Sequence, residues 1–530
     1  MKLTFVTLLL FCSISYSQKE IDVLQYNLNI AIEDTTDVID VVEEITVLFV
    51  EDCQSFSLNL VDLDSLTGSG MVVKSVTSNN VALKFEHQYF ALKIFTDSRK
   101  KGEEGIFQIH YQGAPADGLI IGENKYGERT FFGDNWPNRA QHWIACNDHP
   151  SDKAKVKFTI RAPDHYSIIA NGELIDIFDA DAPYYSITEY ATETELPTKV
   201  MVFGAADFEI QKMESLTDFE LSSWVYKKNA GDALADLNVA PDPLHFFIKK
   251  IGPYPFEKLA NVQSTTRFGG MENASCIFYD EEAFTGKNEM ENLIAHEIAH
   301  QWFGNSVTEL DWQHLWLSEG FATYLTNLHI EQKYGRDAMN LQLEKDRQRI
   351  IRFEDKVKRP VIDTITVNWM QLLNPNSYQK GSWVLHMLRN KVGDSLFWQG
   401  LQTYYQKYKY KNASSDDFFA DMEEVSQQNL QVFFNQWLRS SEMPNIKVRE
   451  KKKCFKRILI IEQIQNEAFE FSIEVELSED DNKRTQTLHF TKETKTIEIE
   501  LGKKTAFDYQ LDPNHNLLYR ESIDVVLIKK

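Results

Sequence analysis

The chain of 530 residues carries a formal net charge of −23, with 43% hydrophobic and 25% charged residues. This balance is typical of a folded protein in water. The length requires several domains, because single hydrophobic cores stop growing near about 250–300 residues. The strongly negative charge would repel phosphate backbones, so we exclude nucleic acid as a partner.

The N-terminus has the features of a Sec-type signal peptide over residues 1–17. Lys2 supplies an early positive charge, an apolar run extends from Leu3 to Cys12, and Ser15-Tyr16-Ser17 suits signal peptidase. The apolar run is too short to cross a bilayer, and no later segment is long enough. We therefore expect a secreted or periplasmic protein with no integral membrane segment in the mature chain.

Alternation of apolar and polar residues dominates residues 18–208 and predicts an N-terminal all-β domain. From about residue 232, apolar residues recur three and four apart, which predicts helices as far as Leu438. One face of the first alternating segments carries Leu24, Tyr26, Leu28, Ile30 and Ile32, and later Val156, Phe158 and Ile160.

Pro444 interrupts the helical pattern, and alternation returns between Phe469 and Leu477. This return predicts a small C-terminal β-sandwich over residues 444–530. The predicted fold class is therefore multidomain α+β, with a mostly helical domain over residues 209–443 between two β domains.

Four cysteines remain after removal of the signal peptide, and they are Cys53, Cys146, Cys276 and Cys454. They are too few and too far apart to form a disulfide framework, so ordinary cores must stabilise the chain. We expect buried free thiols, with one incidental bridge as the alternative.

The segment His296-Glu297-Ile298-Ala299-His300 is an H-E-x-x-H motif. Two histidines four residues apart on a helix lie on one face, where both rings can reach a single Zn²⁺. Asn288 and Glu291 are expected to cap the start of this helix, and Gly304 is expected to end it.

A third metal ligand is expected at Glu319, which follows His300 after eighteen residues. Ser318 is expected to cap a second helix that runs to about Lys333, before Gly335. Two histidines and one glutamate leave a fourth position for water, which is typical of a catalytic zinc site. The alternative is that Glu319 only favours the positive end of its own helix.

HEIAHQWFGN followed by LWLSEGFATYL resembles the M1 aminopeptidases, the gluzincin group that includes leukotriene A4 hydrolase. The resemblance implies a thermolysin-like, mostly α catalytic domain over residues 209–443 and one Zn²⁺ per chain. Thermolysin-like endopeptidases share the zinc ligands, so these two segments indicate only the wider group.

Gly269-Gly270-Met271-Glu272-Asn273 resembles the G-x-M-E-N exopeptidase motif of the M1 family. The resemblance implies that this segment binds the main chain of a peptide. The glycines allow a close backbone approach, and the Glu272 carboxylate would bind the α-ammonium group of the substrate.

Tyr378-Gln379-Lys380-Gly381 resembles the Y-x-K-G motif of the same family. There the tyrosine donates a hydrogen bond to the oxyanion of the tetrahedral intermediate. Tyr378 is therefore the candidate for that role.

Three features depart from the family pattern. Many relatives continue into a large helical C-terminal domain, whereas this chain stops at Lys530. Asp134 lies in a segment where relatives often carry a glutamine that helps to bind the substrate amine, and it is a candidate replacement. Thr326 occupies a position that is often acidic and supports the zinc ligands.

The expected function is that of a zinc-dependent aminopeptidase that hydrolyses N-terminal residues from peptides with a free N-terminus. In that mechanism a zinc-activated water attacks the peptide bond, and Glu297 is the general base. The alternatives are an endopeptidase, an epoxide hydrolase, and a catalytically inactive relative that binds peptides. The inactive relative would be indicated by loss of Glu297 or of a zinc ligand, and all are present.

Overall fold

The computed structural model describes residues 20–213, 218–453, 456–479, 482–501 and 508–523. The predicted signal peptide and Cys454 lie outside these ranges. Of the other cysteines, Cys146 and Cys276 are buried free thiols, as predicted, and Cys53 is a half-buried free thiol. In the described part of the chain, no helix combines the length and apolarity that a membrane span needs.

The N-terminal region (residues 20–207) is built almost entirely of strands. Alternate side chains of its long strands are buried, as the period of two predicts. Its strands are β1 (Ile21–Glu33), β2 (Thr36–Phe49), β3 (Cys53–Asn59), β4 (Gly70–Ser78), β5 (Val81–Ala82), β6 (Phe85–Gln88), β7 (Ala91–Arg99), β8 (Glu104–Ala114), β9 (Leu119–Glu123), β10 (Arg129–Gly133), β11 (Lys153–Pro163), β12 (Ser167–Ala170), β13 (Glu173–Asp179), β14 (Tyr185–Ala191), β15 (Leu196–Pro197) and β16 (Phe203–Ala206).

These strands form three sheets. The largest has the order β13-β14-β11-β1-β2-β8-β4-β5, with β15 also paired to β11, and the others are β12-β16-β10-β9 and β3-β7-β6. In the largest sheet β1 is antiparallel to β2, with Tyr26 opposite Ile45, and parallel to β11, with Leu28 opposite Phe158.

The central region (residues 208–443) combines helices with a sheet that the sequence analysis did not predict. The sheet has the order β17-β18-β19-β21-β20, and a separate pair joins β22 to β23. The strands are β17 (Phe208–Met213), β18 (Glu220–Tyr226), β19 (Lys258–Ser264), β20 (Gly270–Met271), β21 (Cys276–Asp280), β22 (Val307–Glu309) and β23 (Lys411–Ala413). All seven residues of β19 are buried, so β19 lacks the alternation by which a half-exposed strand is recognised.

The helices of the central region surround one core that continues into the C-terminal region through Ile446 and Leu518. The segments between these helices contain single turns of 3₁₀-helix and two π-helical turns, Asn376–Lys380 and Asn435–Arg439. The α-helices are α1 (Ala230–Leu237), α2 (Pro241–Lys250), α3 (Glu291–His300), α4 (Trp316–Tyr334), α5 (Arg336–Glu354), α6 (Gly381–Val392), α7 (Asp394–Tyr408), α8 (Ser415–Ser426) and α9 (Gln431–Phe434).

The C-terminal region (residues 445–523) contains two small sheets with the orders β28-β25-β24-β30 and β27-β26-β29. As predicted, alternate residues of β26 are buried. The strands are β24 (Asn445–Lys453), β25 (Lys456–Gln463), β26 (Phe471–Glu479), β27 (Asn482–Phe490), β28 (Thr496–Leu501), β29 (Asp508–Leu511) and β30 (Arg520–Ile523).

Two buried lysines join the N-terminal region to the loop that follows α3. Lys199 Nζ lies 2.5 Å from Glu309 Oε1, and both side chains are buried. Lys153 Nζ donates to the carbonyl oxygens of Asn305 at 3.2 Å and Ser306 at 2.9 Å. Because buried charges are retained only with partners, these contacts fix the position of the segment from residue 305 to residue 309, which includes β22.

Candidate active site

Helices α3 and α4 bring together the three predicted metal ligands. The Nε2 atoms of His296 and His300 lie 3.1 Å apart, and Glu319 Oε2 lies 3.3 Å and 3.2 Å from them. Ligand atoms at about 2.0–2.2 Å from a tetrahedral zinc ion would lie roughly 3.3 Å from one another. The residues present therefore fit one such ion, and this cluster is the His/His/Glu group found in the described chain.

Hydrogen bonds and neighbouring charges act on the ligand atoms of the cluster. His300 Nδ1 lies 3.1 Å from the carbonyl oxygen of Phe303. With Nδ1 donating there, Nε2 faces the cluster, where a bound metal ion would take the place of its proton. Burial opposes the charge of His300, but the adjacent Glu319 carboxylate outweighs it and raises the pKa of His300 to about 9. Burial also opposes ionisation of Glu319, yet the two imidazoles hold its pKa well below the ordinary value.

The ends of the two helices differ from the predicted caps. Helix α3 begins at Glu291 after Met290 without a side-chain cap, because Asn288 takes a left-handed conformation with φ of 58°. It ends at His300, four residues before Gly304. Ser318 lies inside α4 rather than at its start, and its Oγ contacts His300 Nδ1 at 3.1 Å. The C-terminal end of α4 at Gly335 agrees with the prediction.

Glu297 lies beside the cluster, with 4% of its surface exposed. Burial raises the pKa of Glu297 well above its ordinary value, and the carboxylates of Glu272 and Glu319 add to the rise. The side chain fits because residue 270 is glycine. A Cβ atom at Gly270 would come within 2.7 Å of Glu297 Cδ.

Glu272 follows strand β20, in which Gly270 pairs with Tyr279 and Met271 with Phe278 of β21. Its carbonyl oxygen accepts hydrogen bonds from Gln301 Nε2 at 3.0 Å and Asn305 Nδ2 at 2.6 Å. Glu272 Oε1 is buried and has no hydrogen-bond partner in the described part of the chain. The backbone of this residue is therefore fixed, while its carboxylate can accept a donor from a ligand.

Gly269 and Asn273, the two ends of the predicted binding segment, differ in their exposure to the cleft. Gly269 lines the cleft with Gly270 and Met271, but Asn273 is fully buried behind it. Asn273 is thus part of the support for the segment.

Tyr378 lies in the π-helical turn Asn376–Lys380, and its ring stacks on His296 with centroids 6.0 Å apart. Burial and the carboxylates of Glu319 and Glu272 raise the pKa of Tyr378 well above its ordinary value. The phenol therefore keeps its proton and can donate it in a hydrogen bond.

Two features fix the position of that turn. A Cβ atom at Gly320 of α4 would lie 3.0 Å from Gly381 Cα, so a larger residue would push the two backbones apart. Lys380 is fully buried, and its Nζ lies 2.7 Å from Glu354 Oε1. The lysine of the Y-x-K-G segment therefore anchors the turn to α5.

A cleft of about 250 Å³ brings Glu272, Glu297, Tyr378 and the metal cluster together. The same cleft is lined by residues that the sequence analysis did not predict, namely Trp136, Phe268, Leu293 and Leu373. They lie far apart in the sequence, and no local pattern marks them.

Two family descriptions match the sequence. The Peptidase family M1 domain matches residues 236–437, and the Peptidase M1 N-terminal domain matches residues 23–200. The chain belongs to peptidase family M1.

Similar curated proteins carry aminopeptidase names but differ in the residue named. Glutamyl aminopeptidase from Bos taurus is 26% identical over 414 residues, which cover 74% of this chain and 43% of that protein. Probable aminopeptidase 2 from Sulfurisphaera tokodaii is 26% identical over 405 residues, covering 72% and 51%. Leucyl aminopeptidase from Saccharolobus solfataricus is 22% identical over 450 residues, covering 79% and 56%. The chain spans about half the length of these relatives.

The structure corrects one hypothesis drawn from the M1 resemblance. Asp134 is fully buried, and its Oδ1 accepts a hydrogen bond from Arg139 at 2.7 Å. Its Oδ2 lies 3.3 Å from the backbone nitrogen of Arg267. Because Asp134 is fully buried and does not line the cleft, it is not positioned to replace the amine ligand, and Trp136 of the same segment lines the cleft instead.

Thr326 does not support the metal cluster of this M1 chain. Its Oγ1 donates to the carbonyl oxygen of Ala322 at 2.8 Å, within its own helix. Ser318 Oγ and the carbonyl oxygen of Phe303 are the groups that orient His300.

Proposed function

We propose that the protein is a zinc-dependent aminopeptidase that removes single residues from peptides with a free N-terminus. The observation that carries this proposal is the position of the Glu272 carboxylate. It lies buried, with an unpartnered oxygen, in the same cleft as the metal cluster and Glu297. A substrate ammonium group is a fitting partner, because it is cationic and supplies the missing donors.

Each polar residue of the cleft would have its own role in the reaction. His296, His300 and Glu319 would hold the zinc ion, and one ion per chain is expected. When bound, Zn²⁺ supplies a Lewis acid that polarises a scissile carbonyl and lowers the pKa of water. Glu297 takes a proton from the attacking water at its carboxylate and returns it to the leaving nitrogen.

The other two residues bind and orient the substrate. Tyr378 donates its phenolic proton in a hydrogen bond to the developing oxyanion. Glu272 binds the ammonium group, so that the bond after the first residue lies beside the metal cluster. The main chain of Gly269–Met271 borders the path of the peptide.

The rival functions predict different sites. An endopeptidase has no need of Glu272, whose carboxylate would then lack a partner. An inactive peptide-binding relative would lack Glu297 or a metal ligand. The presence of all four side chains in one cleft supports an active enzyme. The aminopeptidase names of the relatives support the same conclusion.

Comparison of one peptide with a free and with an acetylated N-terminus tests the proposal. We expect the mature, zinc-loaded protein to trim the free peptide stepwise, as followed by mass spectrometry, and to leave the acetylated peptide intact. A chelator should abolish the trimming, and added Zn²⁺ should restore it. Cleavage of internal bonds in the acetylated peptide at the same rate would instead establish an endopeptidase.

We also propose the finer features that the sequence indicated. The central region would have the thermolysin-like arrangement, and the two C-terminal sheets would form a β-sandwich. Residues 1–17 would direct export to the periplasm or the medium and be removed before Gln18. Sequencing of the N-terminus of the protein recovered from the periplasm or medium tests the last point, and a mature chain that still begins at Met1 would contradict it.

A further inference from the structure

Four aromatic side chains pack against one another in a row that reaches one side of the cleft, and we call Trp136, Phe268, Trp312 and Trp369 the aromatic wall. The Trp136 ring packs edge-on against Phe268, with centroids 6.2 Å apart, and against Trp312 at 5.6 Å. Trp369 stacks on Trp312 at 5.5 Å. Trp136 and Phe268 reach the cleft, while Trp312 is buried behind them.

The aromatic wall adjoins the end of the cleft that holds Glu272. Phe268 lies four residues before Glu272, whose carbonyl oxygen is bound by Gln301 and Asn305 just beyond the C-terminal end of α3. Leu293 lies near the N-terminal end of α3, on the other side of the two histidine ligands along the helix. The side chain of the first substrate residue, next to its ammonium group, would therefore face the aromatic wall.

Leu373 extends this apolar surface. It follows the 3₁₀ turn that carries Trp369, lines the cleft, and packs against the same hydrophobic core as Phe268. The surface that would receive the first side chain is therefore made of aromatic and aliphatic groups.

The charged groups nearest the aromatic wall already have partners. Arg139 lies 5.7 Å over the Phe268 ring and binds Asp134 and Asp117, and Arg267 also binds Asp117 at 2.8 Å. Lys199 lies 5.8 Å from the Trp312 ring and binds Glu309. In the part of the chain that the structure describes, each cation at the wall is thus neutralised by a carboxylate.

We infer that the enzyme prefers peptides whose first residue is large and apolar, such as leucine, methionine or phenylalanine. The inference rests on the proposed aminopeptidase function and names its substrate class. A carboxylate on the first side chain would lose water without gaining a cation. At the aromatic wall, as far as the described residues show, an ammonium or guanidinium group would find only carboxylates that are already paired with cations. The names of the relatives do not decide this point, because one is glutamyl and another leucyl.

A panel of aminoacyl arylamides tests the preference. We expect kcat/KM of the zinc-loaded protein to be highest for leucyl, methionyl and phenylalanyl substrates. The glutamyl substrate should be at least about 100-fold poorer than the leucyl one, and alanyl about 10-fold poorer. Cleavage of the glutamyl or lysyl substrate as fast as the leucyl substrate would overturn the inference.

Variants at the half-buried positions Phe268 and Leu373 assign the preference to this surface. Phe268→Ala and Leu373→Ala should lower kcat/KM for leucyl and phenylalanyl substrates by about 10-fold or more, but change it little for alanyl. The matched control is Leu293→Ala at the other end of the cleft, which should shift all substrates by a common factor. An equal loss for every substrate in the Phe268 and Leu373 variants would show that they support the site without selecting the residue.

Binding separates this inference from the proposed function. In zinc-loaded Glu297→Gln protein, calorimetry should give leucinamide a Kd at least about 10-fold lower than that of glutamic acid α-amide. Equal affinities would overturn the inference even if arylamides are hydrolysed. If wild-type protein cleaves no arylamide but leucinamide still binds more tightly, the proposed reaction fails and the preference of the pocket stands.

Discussion

The two sides of the cleft differ in the kind of side chain that they carry. One side, the helical wall, consists of His296, Glu297, His300, Glu319 and Tyr378 and carries polar groups whose pKa values are strongly displaced. The opposite side is the aromatic wall, where charges are neutralised in pairs. Under the proposed function, one side would carry out the chemistry and the other would select the substrate side chain.

The two walls also differ in how the chain encodes them. The four metal-site residues of the helical wall lie within twenty-four positions, from His296 to Glu319. The aromatic wall draws on Trp136 in one region and on Phe268, Trp312 and Trp369 in another. A change on the helical wall should therefore alter turnover, and a change behind the aromatic wall should alter stability or affinity.

The largest expected effect is at Glu297. Glu297→Gln keeps the shape of the side chain but removes the proton acceptor, so kcat should fall by about 10²–10⁴-fold. Zinc content, measured by elemental analysis, should stay at one ion per chain. Glu289→Gln, an exposed change just before α3, is the control and should have wild-type kcat. Turnover within threefold of wild type in Glu297→Gln would assign the base to another group.

A change behind the aromatic wall should affect folding instead. Lys199→Met leaves the buried Glu309 carboxylate without its cation, and it should lower the free energy of unfolding by about 3–5 kcal/mol. The double variant Lys199→Met/Glu309→Met should be more stable than the single variant, since no charge is left unpaired. Urea denaturation followed by fluorescence measures both, and equal stability of the single variant and wild type would show that the pair contributes nothing.

The variant Tyr378→Phe removes one hydrogen-bond donor from the helical wall. We expect kcat to fall by about 10²–10³-fold, with little change in KM, because the oxyanion exists only after attack. Steady-state kinetics on one arylamide measures kcat and KM separately. A rise in KM with unchanged kcat would show that Tyr378 binds substrate rather than stabilising the oxyanion.

The smallest of these effects is expected at Glu272, which stands between the two walls. Glu272→Ala should lower kcat/KM for free-amine substrates by about 10- to 150-fold, the value of one charge-assisted hydrogen bond. The acetylated peptide should stay uncleaved by the variant as by the wild type. A kcat/KM for free-amine substrates within twofold of wild type would show that Glu272 does not bind the amine.

The closeness of the two histidines of the helical wall follows from a physical rule. Two histidines four residues apart must share a helix face, so His296 and His300 could be paired without knowledge of the fold. The roles expected for Glu272 and Tyr378 rest on a resemblance, because neither a glutamate nor a tyrosine is marked by spacing alone. The helix caps were predicted less well, since Asn288 has the composition of a cap but a left-handed backbone.

The rest of the site depends on contacts between distant segments. Trp136 reaches the cleft only because its loop packs against Trp312, some 170 positions later. The sheet that carries Glu272 was missed because its central strand β19 is buried on both faces and shows no alternation. Asp134 was a reasonable candidate by position, but its pairing with Arg139 could not be read from the sequence.

The backbone contact between Gly320 and Gly381 has a consequence for how the enzyme tolerates mutation. These glycines have no side chain to offer a substrate, yet their approach keeps the turn of Tyr378 against the helix of Glu319. In a library of all single substitutions selected for activity, both positions should therefore be as intolerant as the metal ligands. A survey of tolerance alone would then mark as catalytic two residues whose only contribution is the absence of a side chain.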